Sequence, residues 1–230
     1  MKILVIVLMI AATGWSRPAT ALPNHLWQIL SVGGIYHGSD VNPNSCLKWY
    51  GLFETQNGFA LKAVRLDVRA VRHTLVDTAG QKTGKKLSIQ PSGETVFLVG
   101  TDRPLKEGSV EGDRLTRPPA ELTPGDNPLK PGKQIPLSLQ EKDYTLSLMK
   151  DGAQLVLKNG EKSQTLLPDV GRFDTPSVVW YGDLDRDGEL DLLLDEGKEN
   201  LRMWLLFLSS EVWEEWELVG GAARWMVTGC

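Results

Sequence analysis

Between two apolar runs the chain reads GDLDRDGELDLLLD over residues 182–195. Asp183, Asp185, Asp187 and Asp191 stand at positions 1, 3, 5 and 9 of a D-x-D-x-D-G-x-x-D loop, with Gly188 at position 6 and Glu189 at position 7. Carboxylates at alternate positions of a tight loop converge on one point. A glycine allows the sharp turn between them, and the carbonyl of residue 7 adds an oxygen. Oxygen donors without His or Cys select a hard cation, and a flexible set of about six to eight oxygens selects calcium over magnesium. Residues 183–191 hold five acids against Arg186 alone, a net −4, and such repulsion in a small volume is offset most simply by a divalent ion. The predicted calcium ligands are therefore Asp183, Asp185, Asp187, the Glu189 carbonyl and Asp191. An ion enclosed by loop oxygens lacks the open position that catalysis needs, so the expected role is structural.

The loop departs from an EF-hand. Position 12 is Leu194 rather than a bidentate Glu, which leaves the closing role to Asp191. No helix follows: Leu190, Leu192 and Leu194 alternate with Asp191 and Asp195, a strand pattern. SVVWY, ending at Trp180 and Tyr181, reads as the strand before it. Asp195, at position 13, is expected to point out of the loop and to be dispensable. This strand–loop–strand unit resembles the calcium-binding FG-GAP repeats of integrin-like and bacterial extracellular β proteins. The resemblance implies calcium held by the loop aspartates, here Asp183, Asp185, Asp187 and Asp191, with the Glu189 carbonyl. Those proteins carry several repeats arranged as a propeller, whereas this chain shows one copy. The wider frame also resembles secreted bacterial proteins with one GDLDGDGxxDLLL-type loop, a strand ending LFLSS and a terminal Cys. No activity comes with that likeness.

The elements that must position the loop read as strands. Val64, Leu66, Val68 and Ala70 alternate with mostly polar neighbours, the mark of a half-buried strand. Leu87 with Ile89, TVFLVG, the Ile135–Leu139 run and the Tyr144–Leu148 run behave likewise. Asp151-Gly152 and Asn159-Gly160 are hairpin-turn dipeptides, so residues 142–167 are expected to form a β-meander. MWLLFLSS, residues 203–210, is apolar on both parities and reads as a central, doubly buried strand. ARWMVTGC alternates again. Glu211 to Leu218 is the best helix candidate, readable also as a twisted edge strand. The expected class is mostly β, with antiparallel sheets forming a sandwich or a barrel-like meander. A Pro- and Gly-rich connection over 116–132 divides the chain into β regions 22–115 and 133–230, or else runs over the surface of one continuous domain.

The N-terminus predicts an address. Lys2 precedes an unbroken apolar run over Ile3–Ala12, too short for a spanning helix. Ala19-Thr20-Ala21 matches a small-x-small cleavage site. A signal peptide over 1–21, a mature start at Leu22 and a secreted or periplasmic destination follow, with no transmembrane segment after cleavage. In an oxidising compartment the even pair Cys46 and Cys230 is most simply one disulfide. With 25 basic against 29 acidic residues, nothing draws the chain to nucleic acid.

Other chemistry is sparse. His25, His37 and His73 stand outside any metalloprotease or triad pattern and are expected at the surface or in turns; there is no G-x-S-x-G, and Gly33-Gly34 makes no nucleotide fingerprint. Trp is plentiful at 8. Trp213 and Trp216, set among Glu211, Glu214, Glu215 and Glu217, are the expected exposed pair, with faces suited to stacking on sugar rings. The sequence thus reads as an exported calcium-binding β protein, a non-enzymatic module for a glycan or an envelope protein. The alternative is a secreted, glycosidase-like hydrolase whose active site the sequence does not locate.

Overall fold

Alternating segments become antiparallel strands in the computed structural model, which describes residues 25–115, 128–171, 176–196 and 201–228. In chain order they are β1 (Trp27–Leu30), β2 (Ile35–Tyr36), β3 (Lys48–Thr55), β4 (Gly58–Ala63), β5 (Arg65–Val71), β6 (Gly84–Gln90), β7 (Thr95–Thr101), β8 (Gly108–Val110) and β9 (Gly112–Asp113). After residue 127 follow β10 (Gln134–Leu139), β11 (Lys142–Leu148), β12 (Leu155–Asn159), β13 (Lys162–Leu167), β14 (Ser177–Gly182), β15 (Asp191–Asp195), β16 (Leu201–Leu208) and β17 (Gly220–Thr228). The expected meander is present and gains β10 at its edge, giving the order β10-β11-β12-β13. Of the two turn dipeptides only the glycines, Gly152 and Gly160, take positive φ.

The other sheets are β1-β7-β3-β4-β8, the small β2-β6-β5 and β17-β16-β15-β14-β9. The last of these is the middle layer. Its side chains alternate between two cores, as the period of two requires. Leu193, Trp204, Leu206, Leu208 and Trp225 pack with Ile29, Leu52 and Phe97 of the first sheet. Leu192, Leu194, Leu205 and Phe207 pack with Leu137, Leu146 and Leu157 of the meander. Burial on both faces explains why residues 203–208 are apolar on both parities. A register shift between Val178 and Trp180 places Val179 and Trp180 together on the first core.

Several expectations are corrected. The expected mostly β class with antiparallel sheets holds, and of its two forms the barrel-like one is not taken, since the sheets of the described residues stay open. Residues 211–218 form neither helix nor edge strand: a 3-10 turn covers Ser209–Glu211, and Glu214 and Glu217 then close a tight turn. The predicted strand end Ser209-Ser210 belongs to that 3-10 turn. Asp195 does point out of the loop, but into a buried contact rather than solvent: its carboxylate is 4% exposed and pairs at 3.2 Å with Arg202, itself 11% exposed. His73 is buried, its ring stacked 4.6 Å from that of His37. Cys46 is exposed with a free thiol, and no disulfide occurs among the described residues. Its predicted partner Cys230, the signal peptide over 1–21 and residues 116–127 of the connection lie outside the described residues. Among those described, no helix is long and apolar enough to cross a membrane.

Candidate metal centre

The acidic loop joins β14 to β15, at one end of the middle sheet. Its entry depends on two glycines that face each other, Gly182 and Gly112. A Cβ on Gly182 would lie 2.2 Å from the Glu111 carbonyl oxygen and 2.4 Å from Trp180, and one on Gly112 would lie 2.4 Å from the Tyr181 oxygen. Only glycine permits that approach. It brings the Glu111 carbonyl within 3.0 Å of the Asp183 N–H that donates to it. Two apolar loop residues act as anchors: Leu184 is buried in the first core and Leu190 in the meander core. Arg186 and Gly188 take left-handed φ values of 63° and 84° and fold the chain back between them.

The turn is stitched by its own carboxylates. Asp187 N–H donates to Asp183 Oδ1 at 3.0 Å, and Gly188 N–H donates to Asp183 Oδ2 at 3.1 Å. Glu189 N–H donates to Asp187 Oδ1 at 2.9 Å. Asp191 is wholly buried; it accepts Leu184 N–H at 2.7 Å on Oδ2 and Ser209 N–H at 2.9 Å on Oδ1. Further donors come from the 3-10 turn after β16. Ser209 Oγ–H lies 2.7 Å from Asp187 Oδ2 and 3.2 Å from Asp191 Oδ1, and Ser210 Oγ–H donates to Asp185 Oδ2. Arg103 Nη1 reaches the same Asp185 oxygen at 3.3 Å.

Asp183, Asp185 and Asp187 each offer an oxygen, and these oxygens lie within 4.8 Å of one another. The Asp185 side chain is 0% exposed, yet its Oδ1 has no hydrogen-bond partner among the described residues. A buried carboxylate oxygen left unpaired beside two further carboxylates is costly in this form. The cost shows in their acidities. Burial, before any other cause, raises the carboxyls of Asp183 and Asp185 above the usual carboxylate range, and the Asp187 charge adds to both. Burial, with the Asp185 charge behind it, raises Asp191 further. Arg103 and Ser210 oppose the shift at Asp185 without cancelling it. Three convergent hard oxygens, one from a buried side chain that also keeps an unpaired oxygen, fit a divalent cation; calcium and magnesium both take carboxylate oxygen.

The remaining predicted residues fall around this centre. Asp191 stands outside the group of three convergent oxygens and pins the loop to the 3-10 turn. Glu189 sends its side chain away, to Lys142 Nζ and, at 3.1 Å, to the Tyr144 hydroxyl. Lys142 Nζ also donates to the Gly188 carbonyl at 3.1 Å. Burial, and then the Glu189 carboxylate, holds the Tyr144 phenol above its ordinary range. Trp213 and Trp216 are 52% and 57% exposed, as expected. Sequence reasoning missed Ser209, Ser210 and Arg103. The serines stand 18 or more positions beyond Asp191 in the chain, and only the pairing of β15 with β16 brings them to the loop. An open groove elsewhere, between β3 and β5, is lined by Leu47, Trp49, Leu66 and Val68; its charged lining residues are Lys48 and Arg65. Comparison with protein-family models, curated proteins and solved structures returns no match.

Proposed function

We propose that this chain is an exported calcium-binding β protein in which the ion holds the β14–β15 loop to the middle sheet. Two observations carry the reading: Asp183, Asp185 and Asp187 each bring a carboxylate oxygen within 4.8 Å of the others, and the buried Asp185 side chain keeps one oxygen, Oδ1, without a hydrogen-bond partner among the described residues. Calcium there supplies the positive charge that the acidic loop lacks. Asp183, Asp185 and Asp187 hold it through side-chain oxygens, the Glu189 carbonyl adds a fourth donor, and Asp191 closes the loop from behind. The FG-GAP-like spacing supports the same assignment. The exposed Trp213–Trp216 pair, which follows the serines that touch the loop, is the proposed contact for a glycan or an envelope protein, with no catalytic step.

Calorimetric titration of chelator-stripped protein tests the ion site. Calcium is expected to bind with one site, more tightly than magnesium, and Asp187→Ala to abolish the heat. Absence of heat with millimolar CaCl2 refutes the site. Glycan-array and pull-down screening, with Trp213→Ala and Trp216→Ala as controls, tests the binding surface.

A further inference from the structure

The serines after β16 link the acidic loop to the exposed tryptophans through short, continuous structure. Ser209 and Ser210 bond three of the loop carboxylates, those of Asp185, Asp187 and Asp191. Val212 N–H donates back to the Ser209 carbonyl at 3.4 Å. Glu217 then accepts the N–H groups of Trp213 at 2.8 Å and Glu214 at 3.2 Å, and its own N–H donates to the Glu214 carbonyl at 3.0 Å. The far end is held to the meander: Gln164 Oε1 accepts Leu218 N–H at 2.8 Å and Val219 N–H at 3.0 Å, while Lys162 Nζ donates to the Glu215 carbonyl at 3.1 Å. The segment 209–217 is therefore a small braced unit, with the loop carboxylates at one end and two exposed indoles at its tip.

We infer that Ser209 and Ser210 are positioning residues for the ion site and that they make ion occupancy and the setting of the Trp213–Trp216 tip a single equilibrium. The inference rests on the calcium reading above. Its chemistry is that of outer partners in metal sites. A hydroxyl bonded to one oxygen of a carboxylate fixes the rotation of that group and so aims its other lone pairs, and loss of such partners costs about 10–100-fold in metal affinity. Ser210 does this for Asp185, whose second oxygen is the unpaired Oδ1. Ser209 does it for Asp187 with its single hydroxyl proton, at 2.7 Å, while the same oxygen lies 3.2 Å from Asp191 Oδ1. When the carboxylates turn toward a cation, their serine partners must follow or release, and the braced unit carries that movement to the tip. By reciprocity, whatever fixes the tip also alters affinity at the loop.

The test uses the full-length protein, stripped with chelator and titrated with CaCl2, read by calorimetry and by acrylamide quenching of tryptophan emission. The other described indoles are buried or half-buried, and the difference in quenching between the wild type and a Trp213→Phe/Trp216→Phe variant reports the two exposed ones. In the wild type, calcium is expected to bind and to lower the quenching of the tip. Ser210→Ala is expected to weaken calcium binding about tenfold and to suppress the quenching change, and Ser210→Thr, which keeps the hydroxyl, to restore both. Ser209→Ala should act in the same direction; Ser210 is half-buried, so its variant folds even where the buried Ser209 variant does not. Calcium binding by the wild type with no change in quenching overturns the inference while leaving the ion site standing. Wild-type affinity and wild-type quenching in Ser210→Ala also overturn it. No calcium heat in the wild type overturns both readings, and calorimetry separates that case from the others.

Discussion

Asp185→Asn should stabilise the ion-free protein while removing its response to calcium. The substitution keeps the shape of the side chain and replaces one carboxylate oxygen by an amide nitrogen. At the 4.8 Å limit that contains the three oxygens, Asp185 repels Asp183 and Asp187 by about 3.5 kcal/mol each at an effective dielectric constant of about 20. Its attraction to Arg103 at 3.3 Å is about 5 kcal/mol on the same rule. Arg103 is 34% exposed, so water screens that attraction further. Water screens the repulsion from the exposed Asp187 as well, so neutralisation relieves about 2 kcal/mol, the difference between the two repulsions and the one attraction. For a chain of this size that corresponds to a rise in Tm of about 4–8 °C in chelator. Calcium at a hundredfold excess over Kd stabilises the wild type by about 2.7 kcal/mol and should leave the variant unchanged, so the two melting curves approach or cross. Scanning calorimetry in chelator and in CaCl2 provides all four curves. A variant that melts lower than wild type in chelator, or that keeps the full calcium shift, refutes the electrostatic account of the loop.

Three further predictions address the surroundings of the loop. Burial raises the carboxyls of Asp183, Asp185 and Asp191, so the folded ion-free state holds protons that the unfolded chain releases near pH 4, and stability falls as pH rises through the raised values; denaturant titrations in calcium-free buffer should show greater stability at pH 5 than at pH 7, with a shallower slope in Asp185→Asn. Asp195→Ala removes the carboxylate 3.2 Å from the largely buried Arg202 guanidinium and should cost about 1–3 kcal/mol, read as a lowered denaturant midpoint, whereas a shift under about 0.5 kcal/mol would contradict the pairing. Gly220→Ala places a Cβ 1.8 Å from the Glu211 carbonyl oxygen; backbone must move, and a loss of about 3 kcal/mol with weakened calcium binding is expected from denaturation and titration.

Much of this protein was legible from local pattern. Alternation over 64–71, 135–139 and 144–148 marks strands because side chains on a pleated chain leave on opposite faces. The two-sided apolar run at 203–208 marks a central strand for the same reason, and the spacing of Asp183, Asp185, Asp187 and Gly188 marks a turn with converging carboxylates because those offsets are short enough for the backbone to dictate them. What the chain order did not reveal was what the turn would be pressed against. Glu211 to Leu218 has the composition of a helix, but the chain there must cross from the end of β16 to β17 past the loop, and tertiary hydrogen bonds from Gln164 and Lys162, with the local turn that Glu217 closes, outweigh a weak local preference. Asp195 continues an alternation that leads away from the ion loop; its partner Arg202 lies across a strand pair whose register depends on the packing of both cores. Ser209 and Ser210 carry no local signal of a role in an ion site. Their hydroxyls meet the loop because β15 and β16 are neighbours in a sheet buried on both faces, a long-range pairing that no short window of sequence contains.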